Sequence, residues 1–433
     1  MKSLLRLESP CACGKTHKCA TETMLIQKNI TPVMSDYIKQ NFDNAKGCII
    51  CDFNTEKIAR DYGMRYDHET VILDIKSHHA DEFMIEDCEE KLKGKNYDYF
   101  IACGSGTIHD ITRMTAFKRN APFISYPTAP SVDGFVSDTA PITTKTGMKI
   151  TRYAAAPVAL FADIDVLASA PKRLVAAGAG DILGKYTALA DWRISNLLTG
   201  EYICGPTVKI QYNAVNKAKD SLIEYGKNKS GESYEIFCGN LLEALVISGL
   251  CMQYTGNSRP ASGCEHHVSH FFEMGVILST DCLHGENVGV GSVLCADLYH
   301  KFAESKDIKF VEKDLDDDLV KKYYQNIYDE IIKENAPNSL KKITPEIFYK
   351  SLNEVKKIIS DIPSKEELAA LLDIVGGVKD LAGMKAYDLK CDENEIATLA
   401  LKLAPYIRDR VTLLKLMRCV EIESKIKKER DHG

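Results

Sequence analysis

The chain lacks several features that would settle its class at once. No window reaches the run of about 18 apolar residues that a membrane span needs, and the opening "MKSLLRLESPCACG" has no continuous apolar stretch of the signal-peptide kind. Positive charge is not in surplus: 55 Lys and Arg stand against 61 Asp and Glu, a net charge of -6, and no long Lys/Arg run supplies a local basic field. Nucleic acid and membrane insertion are therefore not expected, and a cytoplasmic location is. Repeats and low-complexity tracts are also missing.

Cysteine is the residue in excess. Fifteen is a high and odd number, and most stand singly in apolar runs ("YFIACGSG", "SGLCMQY", "VLCADLY"), where Cys packs as a small hydrophobe, so reduced thiols are expected. Cys48 and Cys51 have the spacing of a zinc-binding pair but lie in a strand-like run and read as core. The stretch "CACGKTHKC" is the exception. Cys11, Cys13, His17 and Cys19 could form a small zinc site, although the usual two-to-four-residue spacer of a zinc-binding pair is missing.

A 433-residue chain with 45% apolar residues can bury two cores. From 47 to 126 short apolar runs alternate with helical stretches, which predicts a parallel sheet with ligands at the strand C-termini. A hairpin turning at "KTG" and one more strand end this α/β domain, expected over residues 1–170 with a cysteine-rich extension at 1–22. From Pro171 onward nearly every stretch has helical period, which predicts an all-α domain over 171–433. The run "EKDLDDDLVKK" reads as a solvated helix end.

Three stretches carry chemistry. In "YDYFIACGSGTIHD" a strand leads through Gly104, Ser105 and Gly106 into a helix start. Its free N–H groups suit a dinucleotide pyrophosphate, but without the third glycine of the fingerprint a plain tight turn is equally open. Asp52 could accept from a ribose or cap a helix. In "SYPTAPSVDGFVSDTAP" small and hydroxyl residues suit either a cofactor lining or a polar loop.

The third stretch is "SRPASGCEHHVSHFFEM", followed by "LHGENVGVG", with four of the chain's 11 histidines. His266 and His270 share one helix face, while His267 turns about 100° away. In one continuous helix His266 and His284 would lie about 27 Å apart. Gly275 and "STDC" allow the chain to double back and bring them face to face. With Asp181 of "GAGDILGKY" they would form a divalent site with open positions.

The ordered set "GSGTIHD", "PTAPSVDGF", "GAGDILGKY", "SGCEHHVSH" and "HGENVGVG", over roughly residues 45–300, resembles the sn-glycerol-1-phosphate dehydrogenases, bacterial branch. These belong to the superfamily of metal-dependent polyol dehydrogenases and dehydroquinate synthases. The resemblance implies a dehydroquinate synthase-like fold with the active site in the interdomain cleft. It implies that Asp181, His266 and His284 hold a divalent ion, zinc or nickel foremost. Gly106, Thr107, Ile108, His109 and Asp110 would contact NAD or NADP; Thr128, Ala129, Pro130 and Ser131 would line its nicotinamide end; Asp52 and Ser137 would also touch it. Asp133, Asp181 and His270 would meet the substrate and serve catalysis, with His270 relaying a proton.

The implied reaction is NAD(P)H-dependent, reversible reduction of dihydroxyacetone phosphate to sn-glycerol 1-phosphate, and a homodimer is expected. Arg259 and Lys149 are candidate phosphate anchors or else solvated surface cations. The alternative within the superfamily is a glycerol dehydrogenase acting on the unphosphorylated substrate. Outside it stands a sensor that binds without turnover.

Overall fold

In the computed structural model, residues 10–145, 149–278, 280–384 and 392–422 are described. Six strands form the main sheet: β1 (Thr23–Gln27), β2 (Gly47–Asp52), β3 (Glu69–Leu73), β4 (Tyr99–Gly104), β5 (Phe123–Pro127) and β8 (Ala159–Asp163). Their spatial order is β1-β8-β5-β4-β2-β3, and every pair is parallel. Strands β2, β4, β5 and β8 are buried along their whole length, which is why they read as unbroken apolar runs. Their alternate residues serve two cores. Cys48 and Ile50 pack under helices α3 (Glu82–Lys91) and α4 (Gly106–Lys118), while Ile49 and Cys51 face α1 (Thr31–Asn41) and α2 (Glu56–Tyr66).

The strand β1 and helix α1 fall in the stretch where no motif could be read. β1 is an edge strand, only partly buried, and pairs with the last strand of the sheet. The expected hairpin is β6 (Thr139–Thr143) with β7 (Lys149–Tyr153), antiparallel and separate from the main sheet; Thr146 and Gly147 of its turn lie outside the described residues.

Beyond α5 (Ile164–Ser169) the chain is mostly helical: α6 (Lys172–Leu183), α7 (Lys185–Thr199), α8 (Gly205–Asn228), α9 (Gly231–Thr255), α10 (Cys264–Glu273), α11 (His284–Glu304), α12 (Asp317–Tyr324), α13 (Tyr328–Asn335), α14 (Pro345–Ile359), α15 (Lys365–Val375), α16 (Glu393–Leu403) and α17 (Leu413–Leu416). It is not all-α, because β9 (Ile308–Phe310) pairs antiparallel with β10 (Val420–Ile422). The acidic run around Asp316 opens α12, with the Asp316 carboxylate accepting from the Leu319 N–H. α9 is apolar and long enough to cross a membrane by length and composition, yet it is mostly buried as the central helix of this core.

The helical period of "IATLALKLAPYIRDRVTLLKLM" does not become one continuous helix. Pro405 cannot continue α16, so the chain passes through a single 3-10 turn (Ala404–Tyr406) and runs irregularly from 407 to 412. The sequence "YIRDR" thereby becomes a loop rather than a helix face.

Backbone meets backbone where α6 and α11 cross. A Cβ on Gly285 would sit 1.9 Å from the carbonyl oxygen of Ala177, and one on Gly180 would sit 2.1 Å from that of Gly285. On the other side of α6, a Cβ on Gly178 would meet the Pro130 carbonyl oxygen at 1.8 Å. Three segments therefore stack with no side chain between them. Gly285→Ala forces the helices apart and is expected to cost about 3 kcal/mol or more; chemical denaturation and metal stoichiometry of the variant check this, since Asp181 and His284 ride on these two helices.

Candidate active site

The order of connection sets the crevice. The chain runs outward from β2 to β3, then returns to place β4 on the other side of β2 and β5 beyond it, so the direction of winding reverses between β2 and β4. Their C-terminal ends carry Asp52 and Gly104. Thr55 joins them: its N–H and hydroxyl donate to Asp52 Oδ1, at 2.9 Å each, and its hydroxyl also lies 3.0 Å from the Cys103 carbonyl oxygen. Asp52 thus has its Oδ1 committed to the turn ahead of α2, whose N-cap is Thr55 and not Asp52.

A cleft of about 510 Å³ opens beside α4. Gly106, Thr107 and Asp110 from α4 line it, as do Val132, Asp133 and Ser137 from the following loop. The side chains of Ile108 and His109, also in the expected cofactor set, are buried in the core and do not line the cleft. The His109 ring bridges Ser105 O (2.9 Å) and Ser125 Oγ (2.8 Å), and burial drives its pKa down to about 3. Thr128, Ala129, Pro130 and Ser131 are also buried, the backbone of Pro130 and Ser131 lying against α6 at Gly178. A larger groove, about 880 Å³ between α7, α8 and α15, has no histidine or cysteine in its lining.

Asp181 on α6, His266 on α10 and His284 at the start of α11 converge; the two histidines line the cleft and Asp181 is buried behind them. One ligand atom from each lies within 4.8 Å of the others, and His266 Nε2 is 3.8 Å from Asp181 Oδ1. The chain doubles back as expected, through Gly275 at φ +65, although Ser279 lies outside the described residues. Each imidazole is backed by a carboxylate: Glu265 Oε1 lies 2.7 Å from His266 Nδ1, and Glu273 Oε1 lies 2.6 Å from His284 Nδ1. An ionised carboxylate only accepts, so Nδ1 carries the proton and Nε2 presents its lone pair. Burial holds His266 well below its ordinary pKa, which keeps the ring neutral. Two neutral imidazoles and a carboxylate with these backing groups fit a divalent cation. His270 lines the same cleft, its ring 6.2 Å from that of His266. His267 instead turns into the core.

Lys185 belongs to the same cluster, although the motifs did not single it out. Fully buried one turn after Asp181, it donates to Asp181 Oδ1 (2.6 Å), Asp133 Oδ2 (2.8 Å) and the Ala261 carbonyl oxygen (2.9 Å). Burial works against its charge, but the two carboxylates outweigh burial and keep the ammonium protonated. Ser248 also donates to Asp133 Oδ2, and the Asp133 N–H to Asp181 Oδ2. The i, i+4 spacing of Asp181 and Lys185 in "GAGDILGKY" was the available signal.

Arg408 and Arg410, in the loop after Pro405, also line the cleft. Arg410 donates to Ser262 O (2.8 Å) and Ser258 Oγ (2.9 Å), while burial and the charges of Arg259 and Arg408 lower its pKa to about 9. Such crowding of cations is relieved by an anion. The expected anchor Arg259 is not one, nor is it a solvated cation: it is buried, ion-paired with Glu201, and donates to the Val411 carbonyl oxygen at 2.9 Å. It holds the arginine loop from behind. Lys149 lies in β7 with its side chain outside the described residues.

Over 438 aligned positions, covering 96% of both chains, the protein is 33% identical to glycerol-1-phosphate dehydrogenase (NAD(P)+) of Halalkalibacterium halodurans. The chain belongs to the glycerol-1-phosphate dehydrogenase family. The Bacillus subtilis glycerol-1-phosphate dehydrogenase (NAD(P)+) is 42% identical over 67% of this chain and 74% of its own length. The family model for iron-containing alcohol dehydrogenases matches residues 25–171. Maleylacetate reductase from Agrobacterium tumefaciens has the same fold, with a TM-score of 0.58 at 13% identity over 93% of this chain and 95% of that one.

For this glycerol-1-phosphate dehydrogenase relative, the carboxylates behind the histidines give a direct test. Glu265→Ala and Glu273→Ala are each expected to weaken zinc binding by about 10- to 100-fold, measured by competition with a chromophoric chelator.

Proposed function

We propose that the chain catalyses the reversible reduction of dihydroxyacetone phosphate to sn-glycerol 1-phosphate with NADH or NADPH, using a zinc or nickel ion held by Asp181, His266 and His284. The observation that carries this reading is the content of one cleft: the N-terminus of α4, the carboxylate-backed histidines with Asp181, and the paired guanidiniums of Arg408 and Arg410. The relatives above bear that activity in their names. Residues 1–170 form the cofactor-binding domain in this proposal and residues 171–433 the metal- and substrate-binding domain.

When bound, the divalent ion supplies Lewis acidity at the C2 carbonyl oxygen and the nicotinamide supplies hydride. The chain's own groups do the rest. The first N–H groups of α4, from Gly106 onward, offer an anion site for the cofactor pyrophosphate. Arg408 and Arg410 take the substrate phosphate dianion, which offsets their mutual repulsion. The oxygen Oδ1 of Asp133 accepts from a substrate hydroxyl, its Oδ2 being fixed by Lys185 and Ser248. His270, one turn from His266, relays the proton that the reduced oxygen requires.

The test is NADH oxidation by protein stripped with chelator and refilled with zinc or nickel, comparing dihydroxyacetone phosphate with dihydroxyacetone. Turnover that needs the metal and strongly prefers the phosphorylated ketone is the expected result; a preference for dihydroxyacetone would instead mark a glycerol dehydrogenase. Arg410→Ala is expected to raise KM for the phosphorylated ketone by about tenfold or more while leaving the slow turnover of dihydroxyacetone unchanged. His270→Ala is expected to lower kcat by about 100-fold, and full turnover in that variant would remove the relay.

A further inference from the structure

Among the described residues three further groups of ligand-type side chains gather; one, His270, Glu273 and His284, shares His284 with the proposed metal set, and two lie outside it. In the first, Asp191, Cys264 and Glu265, the carboxylates are already engaged. Asp191 accepts from the Leu413 and Cys264 N–H groups and from the Tyr299 hydroxyl, and Glu265 from the Gly263 N–H, Thr187 and His266. That cluster is a hydrogen-bond hub.

The second is different. Cys11, Cys13 and His17 come from the segment before β1, and Cys204 stands just ahead of α8, yet one ligand atom of each lies within 4.8 Å of the others. Cys11 Sγ is 3.8 Å from Cys204 Sγ, and His17 Nε2 is 3.2 Å from Cys13 Sγ and 3.5 Å from Cys204 Sγ. A tetrahedral ion with bonds of about 2.3 Å to sulfur and about 2.0 Å to nitrogen has edges of roughly 3.5 to 3.8 Å. A disulfide would need about 2.05 Å between sulfurs.

The surroundings are built for the same purpose. His17 Nδ1 lies 2.5 Å from the Tyr254 carbonyl oxygen, so it carries the proton and leaves Nε2 as the ligand atom. Gly14 at φ +83 makes the tight turn, closed by the bond from its N–H to Cys11 O (2.8 Å), that lets two cysteines one residue apart aim at one point. The Tyr202 hydroxyl is 3.2 Å from Cys13 Sγ, and the Lys15 ammonium over the Tyr202 ring offsets thiolate charge. Cys11 and Cys204 are buried against Trp192 and Leu189. Cys19, the fourth member expected from the sequence, instead donates to Thr21 O.

We propose that Cys11, Cys13, His17 and Cys204 bind one structural zinc ion in a closed four-coordinate site. The site staples the segment leading into β1, at the edge of the sheet, to the junction of α7 and α8. Through His17 it also fixes the end of α9, next to Gly256, Asn257 and Ser258 in the wall of the catalytic cleft.

The full-length protein, kept reduced and loaded with cobalt(II), separates this site from the catalytic one, because Asp181, His266 and His284 include no thiolate. A thiolate-to-cobalt charge-transfer band in the near ultraviolet, with about two ions per chain, is the expected result. Cys204→Ser should lose the band and one ion; Asp181→Asn should lose the other ion and keep the band; Cys19→Ser should keep both. An unmodified chain that takes up cobalt without a thiolate band overturns the proposal, and so does a disulfide between Cys11 and Cys204 that persists after treatment with reductant. If Cys204→Ser does not fold, the spectrum of the unmodified chain decides the question alone. The band is independent of turnover, so an inactive protein that shows it would count against the proposed reaction and not against this site.

Discussion

The close approach of α6 and α11 is the contact on which the rest of the site depends. Asp181 and His284 lie on different helices, and their ligand atoms reach the same point only because Gly180 and Gly285 let the two backbones touch. Side chains at either position would meet a carbonyl oxygen at about 2 Å, a distance that packed atoms do not tolerate. Gly178 extends the stack by one layer, bringing the loop that carries Asp133 against the same helix. The carboxylates of Asp181 and Asp133 are thus placed by missing side chains.

Around that contact, buried charge is compensated locally. Lys185 has no exposure and would be costly there alone, but two carboxylates and a carbonyl oxygen surround it. Glu265 and Glu273 accept from the imidazole Nδ1 groups, fixing which nitrogen faces the cleft. Asp191 ties α7, the start of α10 and the Leu413 N–H together, so the histidine helix and the arginine loop share one anchor. Lys415 reinforces the loop by donating to Asp409 and to the Arg408 carbonyl oxygen.

Much of this was legible in the residues. The alternation of apolar runs and helical stretches gave the four central strands, because a strand buried on both faces leaves an unbroken apolar record. Asp181, His266 and His284 could be named because histidine is scarce in this chain and three motifs carry the set. The edge strand β1 was not legible, since a half-buried strand of five residues has too weak a pattern to stand out. At Ile108 and His109 the motif does not say which side chains turn inward, and both are buried.

The sequence by itself determined the local elements, the ligand types and the turn at Gly275, all of which depend on residues near one another in the chain. Only the tertiary structure decided the partners that lie far apart. Cys204 replaced Cys19 beside Cys11, although 193 positions separate the two. Arg408 and Arg410 came to the cleft because Pro405 ended a helix whose period otherwise continued. Arg259 went to the back of that loop and not to the substrate. Contacts of this kind depend on how separate helices pack, and helix packing leaves no periodicity in either of the segments that it joins.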